Sequence, residues 1–201
     1  MKMPLSLNLL EKQESLEVLN YQIRSCERCG LSATRKHALP GEGTIDARIM
    51  IVALSPGSKE NLANRMFVGP SGQVLDRLFH KAGIEREMVF MTNLVKCMLP
   101  GNRKPKSHEI ERCGIFLDDE ISIIQPEVIV PLGHYAARAV LNRCKADSML
   151  PDDTGSRIVF GHLLLIDGQK IYPLSHPASL LYNPSYEADT IEKYKKLKTF
   201  L

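Results

Sequence analysis

The sequence predicts an α/β domain in which a largely parallel sheet is covered by helices on both faces. Three observations carry that expectation. The runs Ile49–Leu54, Met88–Val95 and Glu127–Leu132 are almost continuously apolar, without the alternation of a strand that has one wet face. Each is followed by a turn or loop bearing Gly or Pro, and then by a segment of helical spacing. No internal repeat, low-complexity tract or linker divides the 201 residues, so the chain suits one compact domain spanning 1–201.

The elements follow in order. Leu7–Arg24 has helical spacing in Leu10, Leu16, Val18-Leu19 and Ile23, and leads into Cys26-Glu27-Arg28-Cys29. Leu39-Pro40-Gly41-Glu42-Gly43 connects to the first strand, which stops at Ser55-Pro56-Gly57, where Pro removes a donor and Gly permits positive φ. A second turn, Phe67-Val68-Gly69-Pro70-Ser71-Gly72, opens the helix Gln73–Ala82. The strand Met88–Val95 precedes a long loop, Lys96–Ser107, and the helix His108–Ile124. Glu127–Leu132 is closed by Gly133 and followed by the helix Tyr135–Arg143, then by a turn-rich link at Ser148–Ser156. Ile158–Ile166 and Lys170–Leu174 flank Asp167-Gly168 as a hairpin. The loop Ser175–Pro184 and a final helix, Tyr186–Phe200, complete the chain. A buried strand ending in a Pro-Gly loop sets backbone N–H groups at the carboxyl edge of a sheet, where α/β folds bind ligands.

Composition excludes several classes. The chain is 44% hydrophobic and 24% charged, with no apolar segment of membrane-spanning length. Met1–Asn20 lacks the design of a signal peptide, so a cytoplasmic protein with no membrane partner is expected. The net charge of +3 is small, but Lys96, Arg103, Lys104 and Lys106 crowd one loop and Lys193, Lys195, Lys196 and Lys198 the last helix. Such clusters support a polyanion partner. Five cysteines, an odd number, argue against a disulfide framework, and C-x-x-C points to metal or redox chemistry. Cys26 and Cys29 with Cys97 and Cys113 form two groups able to enclose a tetrahedral zinc or an iron–sulfur cluster. The wide second spacing favours the cluster. Cys144 has no partner and reads as structural.

Taken in order, these pieces resemble the family 4, iron–sulfur uracil-DNA glycosylases. The motifs are the C-x-x-C, the Pro56-Gly57 loop, Phe67-Val68-Gly69-x-x-Gly72, Thr92-Asn93-Leu94-Val95-Lys96-Cys97 and Pro100-Gly101-Asn102-Arg103-x-Pro105. They continue with Glu109-Ile110-x-x-Cys113, Leu132-Gly133 and His176-Pro177-Ala178-x-Leu180-Leu181. The resemblance implies a three-layer α/β/α sandwich around a mainly parallel four-stranded sheet. It also implies a monomer that excises uracil from DNA, with a structural [4Fe–4S] cluster on Cys26, Cys29, Cys97 and Cys113.

The residues suit that chemistry. A base in a duplex must be flipped out to be reached. Phe67, otherwise a core aromatic, offers a stacking face. Asn93, otherwise a strand-end cap, carries one donor and one acceptor on a single amide, matching uracil O4 and N3–H but not cytosine. His176, otherwise a satisfied core histidine, would donate to uracil O2 as charge collects there. By resemblance Glu60 lies at the pocket mouth. Ser71, Gly72, Ser175 and Ala178 are candidate phosphate contacts, with Arg103 and Lys104 adding charge.

One departure stands out. The family's first loop reads Gly-Glu-Ala-Pro-Gly, and here it is Ala53-Leu54-Ser55-Pro56-Gly57. Leu54 thus occupies the place of a carboxylate beside the attacking water, leaving Ser55 and Asn102 to position that water. Other departures are Asn61, Asn64, Met66 and Met98 where the family has Asp, Gly, Pro and Arg. The expectation is a slowed or altered uracil glycosylase. The alternatives are excision of hypoxanthine or xanthine, or a damaged-DNA-binding homologue weakened in catalysis.

Overall fold

The computed structural model describes residues 7–144 and 160–201. Among these residues, six strands form one sheet in the order β1–β3–β2–β4–β6–β5. They are β1 Glu42–Gly43, β2 Ile49–Ala53, β3 Val89–Asn93, β4 Val128–Pro131, β5 Leu164–Ile166 and β6 Gln169–Ile171. The four parallel strands expected are its centre, with β3, β2, β4 and β6 side by side. The count differs because two short antiparallel edges are added, β1 on β3 and β5 on β6. A two-residue strand such as Glu42–Gly43 has no periodicity to read. The β5–β6 hairpin turns at Asp167 and Gly168, both at positive φ (49° and 82°), as a tight primed turn requires. The link at Ser148–Ser156 and the start of the expected Ile158–Ile166 strand lie outside the described residues.

Strand parity builds the layers. Met50, Val52, Phe90 and Ile129 point to one face, where α1 (Leu9–Arg24), α4 (Ser107–Ile124) and α5 (Gly133–Arg143) cover them. Ile49, Ile51, Ala53, Val89, Met91, Val128 and Val130 point to the other. That face is covered by α3 (Pro70–Ala82), α6 (Ser179–Tyr182), α7 (Glu187–Lys195) and the 3₁₀ turn Lys196–Phe200 that ends the expected last helix. A short helix not anticipated, α2 (Ser58–Ala63), begins directly after the Pro56-Gly57 loop.

The chain leaves β2 for β3 on one side and later returns to place β4 on the other. The sheet's order therefore reverses at β2, and its carboxyl edge opens into a crevice there. Ser55 after β2, Asn93 closing β3, Gly133 after β4 and His176 beyond β6 all lie at that edge.

Lys96 is not part of a basic surface. It is 1% exposed, and its Nζ lies 2.6 Å from Glu120 Oε2 and 2.7 Å from Thr92 Oγ1. Glu120 also accepts from Thr92 Oγ1 at 2.7 Å and from the Gly41 N–H at 3.1 Å. A buried charge must be paired and hydrogen-bonded, and this network does both.

Candidate active site

A cavity of about 570 Å³ opens at the carboxyl edge, within the size range of small-molecule sites. Phe67, Asn93 and His176, distant in sequence, all line it, with Ala53 and Met66 as apolar wall and Ser55, Glu60, Ser71, Asn102 and Ala178 as polar or backbone contributors.

Asn93 is there because parity sends it to the same face as Ala53 and Met91. It is 2% exposed, and its Nδ2 sits 3.2 Å from Met66 Sδ. A thioether sulfur can only accept, so the amide NH₂ faces Met66. The second amide hydrogen and the carbonyl oxygen are left to read a ligand's edge.

His176 is largely buried, and loss of water pushes its pKa below the usual histidine value. Its Nδ1 accepts the Ala178 N–H at 3.2 Å. A neutral imidazole whose Nδ1 accepts carries its proton on Nε2. The ring therefore presents a donor. Gly133 backs it closely: a Cβ there would lie 3.1 Å from His176 Cβ.

Phe67 is 7% exposed and held at φ 50°, in the left-handed region. For a bulky residue this strain is about 1–3 kcal/mol, sustained by its surroundings. Gly72, at the start of α3, lets the chain close: a Cβ there would meet the Phe67 carbonyl oxygen at 1.8 Å. Proline at the first position of α3 leaves the Ser71 and Gly72 N–H groups as free first-turn donors, with Ser71 at the cavity wall.

Glu60, on α2, is the one carboxylate lining the cavity among the described residues. Its Oε1 accepts the Gly69 N–H at 2.6 Å, and Oε2 lies where a Cβ on Gly57 would approach to 2.6 Å. It holds the Gly69 turn and sits close against Gly57. Leu54, by contrast, does not line this cavity. Ala53 takes the face toward Phe67, so the next residue takes the other and packs against the α1–α4 core. Leu54 instead lines an adjoining cavity of about 310 Å³, together with Ser55, Asn102, Arg103, His134 and His176. Ser55, Asn102 and His176 are common to both.

Of the candidate phosphate contacts, Ser71 and Ala178 line the main cavity, whereas Gly72, Ser175 and Lys104 do not. Arg103 is occupied: its guanidinium forks onto Glu109 at 2.9 and 2.6 Å and holds that carboxyl down at about 2. Lys104 is exposed. Sequence reasoning missed Lys59, Leu181 and Tyr182, which line the cavity; Tyr182 is 89% exposed at its rim. Leu181 stood within the His176–Leu181 motif, and the only signal for Lys59 and Tyr182 was nearness to a motif.

The free cysteines Cys26, Cys29, Cys97 and Cys113 line a second, smaller cavity with Ile23, Leu31, Val95 and Phe116. Cys26 follows α1, Cys29 opens a 3₁₀ turn, Cys97 follows β3 and Cys113 lies within α4. Burial pushes the Cys97 thiol up and the Cys113 thiol up to about 11. Arg35 Nη1 donates to Cys97 Sγ at 3.4 Å and the Lys96 N–H to Cys113 Sγ at 3.2 Å, so donors face both sulfurs. Cys144, at the end of α5, stands apart from this cavity. Among the described residues no three His, Cys, Asp or Glu side chains gather as tightly as a single ion demands.

Residues 40–199 match the family described as the Uracil DNA glycosylase superfamily. The chain is 36% identical over 190 residues to a Type-4 uracil-DNA glycosylase of Sulfurisphaera tokodaii, covering 92% of this chain and 84% of that one. It is 36% identical over 192 residues to a Type-4 uracil-DNA glycosylase of Thermotoga maritima, covering 94% and 96%. A Type-5 uracil-DNA glycosylase of Pyrobaculum aerophilum is 30% identical over 160 residues, covering 72% and 67%. With a superfamily match over most of its length and type-4 relatives aligned over nearly all of it, the chain belongs to the uracil DNA glycosylase superfamily.

Proposed function

We propose that this chain is a single-domain enzyme that excises uracil from DNA by hydrolysing its N-glycosidic bond. The observation that carries the reading is the convergence of Phe67, Asn93 and His176 on one cavity. The flipped uracil stacks on Phe67, and Asn93 donates to O4 while accepting from N3–H. Cytosine would set donor against donor at position 4 and leave the amide unmatched.

As the C1′–N1 bond breaks, its electron pair moves into the uracil ring and charge collects on O2. The Nε2–H of His176 is held ready for it by the Ala178 contact to Nδ1. A neutral donor suits this task, because it costs no buried charge before the anion forms. Water then adds to C1′, oriented by the Ser55 hydroxyl and the Asn102 amide, and loses its proton to solvent. Leu54 supplies no base, and Glu60 spends Oε1 on the Gly69 N–H. Loss of a general base lowers rates by about 10²–10⁴-fold, so excision is slow rather than absent. Ser71 and Gly72, whose first-turn N–H groups are unspent, supply backbone-level phosphate contacts, the Ala178 N–H being committed to His176 Nδ1; Lys104, with Arg103 partly committed to Glu109, adds positive charge.

The residues Cys26, Cys29, Cys97 and Cys113 suit a [4Fe–4S] cluster. Four thiols in one cavity, among apolar side chains and Arg28, Arg35 and Arg112, with N–H donors aimed at the Cys97 and Cys113 sulfurs, suit such a site. Bound, the cluster would cross-link α1, the β3 loop and α4 without taking part in bond cleavage. Purified protein should be brown, absorb near about 400 nm and bleach with loss of thermal stability on iron chelation. Colourless zinc-containing protein would contradict this.

Activity is tested by single-turnover excision on U:G, U:A and single-stranded uracil substrates, with Asn93→Ala and His176→Ala alongside. Abasic product that depends on both residues is expected. No product on any substrate would refute the proposal.

A further inference from the structure

The stacking turn is clamped by residues outside the cavity. Arg86 Nη1 donates to the Phe67 carbonyl at 3.3 Å, and Arg86 Nη2 donates to the Met66 carbonyl. The same Nη1 lies 2.8 Å from Asp76 Oδ1 on α3. From the amide side, Glu42 Oε1 accepts the Met66 N–H at 2.9 Å. Arg86, Asp76 and Glu42 do not themselves line the cavity.

The arrangement is tied to the rest of the site. Arg86 opens the 3₁₀ turn Arg86–Met88, which runs straight into β3, and β3 ends at Asn93. One planar guanidinium therefore links both carbonyls of the turn bearing Phe67 to the strand bearing the edge-reading amide. Two adjacent carbonyls met by two donors of one rigid fork are a geometry that arginine offers and lysine does not. Phe67 at φ 50° needs such support.

We propose that Arg86 is a positioning residue for base stacking. It fixes the Phe67 ring relative to a base held by Asn93, and Asp76 fixes Arg86. This rests on the reading of Phe67 as the stacking face. If the guanidinium is removed, the turn relaxes toward an ordinary backbone conformation and the ring drifts from the base. DNA is still captured through its phosphates, but the extruded base is no longer held in the reactive pose.

The test is single-turnover release of uracil from a uracil-containing oligonucleotide at varied enzyme concentration. Arg86→Ala should lower the maximal rate about tenfold or more. The half-saturating concentration should stay within about twofold, the signature of a group that acts after binding. Added guanidinium should restore part of the rate, which a merely structural defect would not allow. In a Phe67→Ala background Arg86→Ala should add little, because what it positions is gone. Arg86→Lys, retaining a cation but not the fork, covers the case in which truncation unfolds the chain; it should fold and still run below the wild-type rate. A wild-type rate in whichever of these variants folds, or full additivity with Phe67→Ala, would overturn the proposal. A wild-type chain that releases no uracil would overturn the reading of the whole site, and that is seen before any variant is compared.

Discussion

Gly72→Ala is a one-carbon test of how the stacking face proposed at Phe67 is built. A Cβ on residue 72 would lie 1.8 Å from the Phe67 carbonyl oxygen and 2.9 Å from Phe67 Cα. Real Cβ atoms keep at least 3.0 Å, so the Phe67 backbone must retreat by at least 1.2 Å. No flexible side chain can absorb the move, since the clash is with main chain. A misplacement of about 1 Å near reacting groups lowers rates by about 10²-fold. Overpacking of this kind destabilises by about 1–3 kcal/mol. Single-turnover uracil excision with urea unfolding on the same preparations reads both. Gly30→Ala is the matched control, because a Cβ there meets nothing within 4 Å. Excision by Gly72→Ala at the wild-type rate would refute the argument that the tight Phe67–Gly72 approach sets the stacking surface.

Other perturbations test other parts of the molecule. His176 has its pKa lowered by burial, so the stability gained by keeping it neutral is fully present above about pH 6.5 and is lost as pH falls through the lowered value. Excision rate should follow, flat above that pH and declining only below it; an inflection above the ordinary histidine value would contradict the neutral-donor assignment. Lys96→Met strands Glu120, which is 0% exposed, and should destabilise by about 3–5 kcal/mol in urea unfolding, with Lys96→Met/Glu120→Leu recovering most of the loss. Equal stability of Lys96→Met and wild type would show that the buried pair is dispensable. Tyr194 is fully buried and its hydroxyl finds no partner among the described residues, so Tyr194→Phe should stabilise by about 1 kcal/mol. A destabilised variant would reveal a partner for that hydroxyl.

Much of this arrangement was legible from local pattern. Uninterrupted apolar runs identified the central strands, and parity along β3 is enough to send Asn93 toward the same face as Ala53. The Asp167-Gly168 turn announced itself by residue type. What stayed hidden depends on partners distant in the chain. Lys96 read as a loop cation, because its carboxylate lies 24 residues on, within α4. Arg103 read as free charge until Glu109 closed on it. Motif position puts Leu54 beside the attacking water, whereas strand alternation turns it to the face opposite the main cavity. β1 was too short to show a period, and Arg86 carries no motif at all; its role follows from two carbonyls about twenty residues away.

The most direct measurement is an experimental structure of this protein with uracil bound. The expected density places the ring against Phe67, with Asn93 at O4 and N3 and His176 Nε2 at O2. Uracil seated elsewhere, or its ring edge turned away from Asn93 and His176, would contradict the shared pyrimidine slot on which the chemistry depends.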